Sequence, residues 1–475
     1  MLERLARGLE KVNKAAEAAG GTQAIRGLTA ISFTARGDTY NDVQGFSASR
    51  IGRPERDGRL TVTNNFDFAG ARFSQRTLQE LAGGFNIDTA TLWRGGTAYA
   101  LRNIGKEFVQ TPNAPSPAAS GGLIAIASRW SPPLLLQRAL QNFRSVSWLG
   151  EAASDGADIV EFSFDETTRF RLHIAHADYR VVRVEAISPD AVAGDDVSVV
   201  EFSGVQVVGG IKFPARFVGV RRGARTFDME IENVAVNPTL PDALFQPPSD
   251  YRQVSDDKLT TTKINERIYE VSGLGGGAYR SQFVVMQDFV VVFEAPLGIP
   301  ACRQIIAEIR RTAGDKPIRY VVISHFHGDH AGGVGAYADI GATIVSAAEN
   351  KDVLQTFARA RSLSQGLGGN RGDVPFAFQP VTSAGQEIVD AGGGRLRVID
   401  FQTPHVERLL TLYDPQTRTI MNGDLFSRLV RWNKTFDVFA RWLERGDVPV
   451  DTILGTHHEP LTRDALLAVA KSGRR

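Results

Sequence analysis

The stretch Ser324-His325-Phe326-His327-Gly328-Asp329-His330 constrains this chain more than any other. It follows "IRYVVIS", an apolar run of strand length, so a buried strand is expected to end near Ser324 and the polar residues to fall in the loop beyond it. Layered α/β sheets collect functional side chains at strand ends, where loops aim them into a crevice. His325 and His327 stand two apart in extended chain and can point the same way, and Gly328 permits a sharp turn into Asp329 and His330. The chain has only eight histidines, so three within six positions demand a chemical reason. Imidazole and carboxylate are the donors that suit zinc when thiolate is lacking. Cys302 is the single cysteine, which excludes an intramolecular disulfide and any Cys-based zinc site; it reads as a small buried residue.

Further donors occupy the same kind of position. His405 follows "LRVIDFQ", Asp424 follows "TRTIMNG", and His457 and His458 follow "VDTIL". Each sits where an apolar strand runs out. The remaining two histidines, His173 and His176 in "RLHIAHADY", lie three apart in an alternating strand and read as structural.

Two halves with different periodicities are expected. From about residue 28 to 250, segments such as "RLTVTNNFDFAGARFSQRT", "ADIVEFSFDETTRFRLHIAH", "YRVVRVEAIS" and "TFDMEIENVAV" alternate apolar and polar residues, with Asp155-Gly156, Gly209-Gly210 and Arg222-Gly223 as turns between them. That pattern predicts a large antiparallel sheet with few helices: one over Leu2, Leu5, Leu9 and Val12, ended by Gly20-Gly21, and one near "SPPLLLQRALQNF". "TPNAPSPAASGG", 111–122, reads as a loop. The stretch 238–263, with its four prolines, reads as exit and linker. Beyond it "QFVVMQDFVVVFEAP" predicts a hairpin, "PACRQIIAEIRRTAG" a helix, and "ADIGATIVSAAENKDVLQTFARAR" a strand and a helix. The domains are thus expected at 1–255 and 263–475. The glycine-rich pieces 273–277 and 366–372 read as loops, and 363–378 as a flap that would set specificity.

Charge narrows the partners. Lys and Arg number 54 against 53 Asp and Glu, a net +1, which argues against the large basic footprint of a nucleic-acid binder. "SRLVRWNKTFDVFARW", 427–442, reads as an amphipathic helix with a solvated basic face; because it follows Asp424, Arg428 and Arg431 could instead rim the site for an anionic substrate. No apolar stretch reaches the roughly 20 residues of a membrane span. The N-terminus carries no signal peptide as written, so the expectation is cytoplasmic as it stands, or periplasmic or secreted if an export signal was removed.

With these residues in place, the second half resembles the metallo-β-lactamase superfamily over roughly residues 263–470. His325, His327, Asp329 and His330 match its His-x-His-x-Asp-His signature, His405 its distal histidine, and Asp424 in "NGDLF" its metal-bridging aspartate. "HHEP" offers two registers for the final histidine; His457 is chosen because Pro460 then falls as in the family, with His458 at the usual glycine. Glu407-Arg408 replaces the small residues often found after the distal histidine, a change expected at the mouth of the site. The resemblance implies a C-terminal αββα sandwich preceded by the antiparallel β domain. The first half more weakly resembles an outer-membrane lipoprotein carrier-type domain through its strand spacing and the ending "PDALF"; such domains precede metallo-β-lactamase-like modules in a group of bacterial hydrolases.

The resemblance further implies two zinc ions, one held by His325, His327 and His405, the other by Asp329, His330 and His457, with Asp424 between them. Asp329 would also orient a zinc-bound hydroxide, as the catalytic residue of a hydrolase acting on a small molecule, apolar or anionic, with an ester, lactone, thioester or amide-type bond. Two other expectations stand beside it: an iron-dependent redox or sulfur-oxidising enzyme on the same fold, and a non-enzymatic carrier. The full ligand set, with His327 among it, favours zinc.

Overall fold

The computed structural model describes residues 2–40, 44–50, 56–81, 84–111, 129–153, 156–164, 169–190, 194–221, 223–254, 258–360 and 371–474. All of the loop expected at 111–122 but Thr111, much of the flap at 363–378, residues 366–370 and the turn residues Asp155 and Arg222 lie outside them.

The alternating segments of the first half build one sheet of fourteen strands. Strands Gly58–Asp67 and Arg72–Leu81 pair antiparallel from Gly58 opposite Leu81 to Asp67 opposite Arg72, a register set by the tight turn between them. The helices Leu2–Ala18 and Pro132–Gln141 cover one part of the sheet. Val12, Ala15, Leu134, Leu135 and Leu136 pack there on Phe162, Phe170, Leu172 and Phe217, all buried. Among the described residues, a cavity between helices and sheet, beside Ala15, Pro132, Leu136 and Phe213, measures about 50 Å³. The strands Asn86–Arg94, Thr97–Arg102 and Glu107–Thr111 continue the sheet beyond those helices as an arm.

The second half is an αββα sandwich. Seven strands form one sheet and six the other. Between the sheets lie Val284, Phe289, Phe293, Val345, Leu410, Leu412, Met421 and Leu454, apolar because both layers close on them. Helices Ile299–Ala313, Val334–Ala338 and Lys351–Ala358 cover the outer face of the first sheet, and Lys434–Arg445 and Arg463–Gly473 that of the second. Helix Ile299–Ala313 runs up to Gly314, as its glycine stop predicts. Among the described residues no helix is long and apolar enough to cross a membrane.

One expectation is corrected. Residues 427–442 are not one amphipathic helix: the helix begins only at Lys434. Asn433 caps it, its side chain accepting from the main-chain N–H groups of Thr435 and Phe436 at 2.9 and 3.1 Å. Arg428 and Arg431 stand in the irregular segment before the cap, exposed, and Arg428 pairs with Glu459 at 3.4 Å. His176 likewise lies just past the strand Arg169–Ala175, beside Asp158, while His173 is buried within it against Glu185 at 3.1 Å.

Candidate metal centre

The strand Ile318–Val322 ends two residues before Ser324, and the short helix Gly328–Ala331 turns Asp329 and His330 back toward His325 and His327. His405, Asp424 and His457 arrive from the ends of strands Arg395–Phe401, Thr419–Asn422 and Thr452–Gly455 in the facing sheet. The structure brings all seven residues together in two groups. His325, His327, His405 and Asp424 each offer a donor atom within 4.8 Å of the others; so do Asp329, His330 and His457. Asp424 joins the groups: its Oδ2 lies 3.0 Å from His405 Nε2 and its Oδ1 3.3 Å from both His330 Nε2 and His457 Nε2.

Contacts behind the rings set which nitrogen points inward. Ser324 Oγ lies 2.7 Å from His325 Nδ1, leaving Nε2 facing the cluster. His327 donates its Nε2–H to Gly45 O at 2.9 Å, so its buried, otherwise unpartnered Nδ1 is the lone pair aimed inward. His457 donates its Nδ1–H to Ala278 O at 3.1 Å, and His330 Nδ1 lies 3.5 Å from Glu294 Oε2. The Nε2 atoms of His330 and His457 approach to 3.2 Å. Two imidazole nitrogens that close, buried and beside carboxylate oxygens, require a positive charge between them, a proton on His330 or a metal ion.

Electrostatics agree. Burial disfavours charge on His330, yet Asp424, Asp329 and Glu294 outweigh it and raise its pKa well above the imidazole range. Burial would raise Asp424, but His330 and His405 hold it well below the carboxylate range. Burial, with the neighbouring imidazoles, holds His325 neutral, well below its ordinary value. The cluster therefore draws positive charge to its centre while offering neutral imidazoles around it, and this donor set fits divalent cations.

His458 stays out of the cluster. Asn422 Nδ2 donates to its Nε2 at 3.1 Å, its own Nδ1–H goes to Glu459 O at 2.7 Å, and its ring packs on Phe426.

Several site residues had no signal in the motif. Gln44 donates from Nε2 to Asp329 Oδ1 at 2.7 Å. Phe85, beyond strand Arg72–Leu81, lays its ring 4.3 Å from the His405 ring. Glu407 accepts from Ser47 Oγ at 2.7 Å and its N–H donates to Phe46 O, so the residue that departs from the family pattern fastens segment 44–47 over the centre. Arg408 turns away to Asp400 and Glu349. Glu294 is fully buried behind His330, at φ 73°, a left-handed conformation that costs a non-glycine residue strain of order 1–3 kcal/mol. Of these, Glu407 was already expected at the mouth of the site, and a carboxylate ending the apolar "VVVF" was the readable clue to Glu294.

Residues 279–466 match the family model described as ODP family beta lactamase. No curated protein matches the chain. Among solved structures, a metallo-beta-lactamase from Pontibacter korlensis aligns at 16% identity and TM-score 0.35, covering 45% of this chain and 99% of that one. The metallo-beta-lactamase FIM-1 from Pseudomonas aeruginosa, in a mono-zinc form, aligns at 17% and 0.34 over 46% and 96%. A structure titled as a peroxy diiron species of the chemotaxis sensor ODP aligns at 15% and 0.35 over 46% and 94%. The sandwich, the motif and the family model agree, and the C-terminal part of this chain has the metallo-β-lactamase fold.

Proposed function

We propose that the chain is a dinuclear zinc hydrolase of small molecules. The observation that supports this best is the convergence of five imidazoles and two carboxylates whose outward contacts leave their donor atoms facing one another. His325, His327 and His405 would hold one ion, Asp329, His330 and His457 the other, and Asp424 would join them. Two such ions supply Lewis acidity toward a carbonyl or phosphoryl oxygen and lower the pKa of water from 15.7 to about 7.

The chain's own groups supply the rest. Asp329 is held from one side by Gln44, which leaves Oδ2 to orient the nucleophile and receive its proton for the leaving group. Tyr279 O–H reaches that Oδ2 at 3.5 Å, and its ring stands edge-on to His457. Burial, with Asp329 and Asp424 beside it, raises the phenol pKa well above 10, so Tyr279 keeps its proton and can donate to charge developing on a substrate oxygen.

An iron-dependent redox centre is the second reading: the matching family model carries the name ODP, and a structure of the chemotaxis sensor ODP is titled as a peroxy diiron species. Five histidines among seven donors, with His327 where a carboxylate would suit iron, favour zinc. The cavity beneath helices Leu2–Ala18 and Pro132–Gln141, about 50 Å³, is too small for an acyl chain and gives no support to a lipid carrier. The test is metal quantification on protein purified without added metal, paired with a hydrolysis screen over ester, lactone, thioester, amide and phosphoester substrates. Two zinc ions per chain and turnover in one class are expected, both lost in His327→Ala. Two irons, or full turnover in His327→Ala, would overturn the assignment.

A further inference from the structure

The cavity above the metal centre is built from both halves of the chain. It measures about 240 Å³, some eight water volumes at ~30 Å³ each, and its floor is Asp329, His405, Asp424 and His457. Leu81 and Phe85, which lead into the arm of the fourteen-stranded sheet, and Ile87 and Ile104 of the arm form one wall, and Leu429 and Val430, just before the Asn433 cap, form the other. Leu81, Ile87, Ile104, Leu429 and Val430 are only partly buried, so their apolar surface is available to a ligand.

The charged groups on these walls are satisfied within the protein. Asp88 accepts from Arg76 Nη2 at 2.8 Å and from Asn103. Arg102 donates to the carbonyls of Gly275 and Gly276 at 2.9 and 2.6 Å, which also fastens the arm to the sandwich. Arg428 and Arg431 do not line the cavity.

Resting on the hydrolase reading above, we propose that this cavity is a subsite for an uncharged, apolar part of the substrate, an acyl chain or ring attached to the bond under attack. The metal centre would engage the polar carbonyl or phosphoryl group at the floor while the arm and residues 429–430 enclose the apolar part. The arm thereby acts as the specificity element that residues 263–475 do not themselves contain.

The test is calorimetric titration of the zinc-loaded full chain with hydroxamates of acetic, butyric, hexanoic and octanoic acid, and with an octanoyl analogue bearing a terminal carboxylate. Acetohydroxamate reports on the metal centre alone. Affinity is expected to rise roughly two- to fourfold per methylene until the cavity is full, and to lose that gain with the terminal carboxylate. Ile87→Asp should flatten the chain-length dependence and leave acetohydroxamate affinity intact; should that variant not fold, Leu429→Asp serves the same purpose. Acetohydroxamate binding with no gain on lengthening, or an equal gain for the carboxylate-bearing chain, would overturn the subsite and leave the metal centre standing. Failure of acetohydroxamate to bind would overturn both.

Discussion

His327 gives its Nε2 hydrogen to the main-chain carbonyl of Gly45, a residue 282 positions earlier. The second histidine of the motif is thus oriented by the other half of the molecule, and the neighbouring Gln44 does the same for Asp329. Groups behind metal ligands typically change affinity by 10–100-fold when removed. Gln44→Ala is expected to weaken the second metal by about that factor, measured by competition with a chromogenic chelator. Gln44→Glu should be worse, because it sets a carboxylate against Asp329. Affinity unchanged in both would mean that Gln44 only fills space.

Glu294 occupies the corresponding place behind His330. Glu294→Gln keeps the volume and removes the charge that favours a proton on Nδ1. A loss of metal affinity of about 10–100-fold is expected, with the fold retained by circular dichroism.

His458 carries a stability prediction. Burial holds its pKa at about 4, and Asn422 donates to the nitrogen that protonation would occupy. In the unfolded chain the value is about 6.5. The neutral ring is therefore favoured by folding, so its contribution is complete above about pH 6.5 and is lost as pH falls toward 4. The loss amounts to about 3 kcal/mol. Denaturant midpoints of chelator-treated protein between pH 7 and 4.5 should fall more steeply than those of His458→Gln.

Cys302 should resist alkylation. It is fully buried in helix Ile299–Ala313, and burial pushes its thiol far up, away from the reactive thiolate. Iodoacetamide should label it only in denaturant. Its surroundings are tight: a Cβ at Gly333 would meet Cys302 Sγ at 2.1 Å and Gly298 O at 2.9 Å. Gly333→Ala is expected to cost about 1–3 kcal/mol, read as a lowered Tm.

Arg428→Ala and Arg431→Ala should leave KM for an acidic substrate within about twofold of the parent, since both are exposed and neither faces the cavity. A large rise would restore them as an anion rim.

The donor residues were readable because chemistry and position coincided: each stood at the end of an apolar run. A layered α/β domain followed from buried strands alternating with helices of ordinary length, and the αββα arrangement from the family resemblance. Gly45 and Gln44 were not readable, because a main-chain carbonyl has no sequence signature and a lone amide no periodicity. Phe85 looked like any apolar residue beside a strand, and only the arm's path over the second half makes it a wall. The misread helix at 427–442 came from following apolar spacing through Asn433, whose preference for helix starts was the better guide.

The carbonyl of Gly45 has one further consequence. Because it orients His327, docking of segment 44–47 and loading of metal are two ends of one equilibrium. Linkage is reciprocal: whatever factor docking adds to metal affinity, metal must return to docking. Ions bound at this centre would then serve as a clasp between the halves, and protein stripped of metal would be the looser molecule.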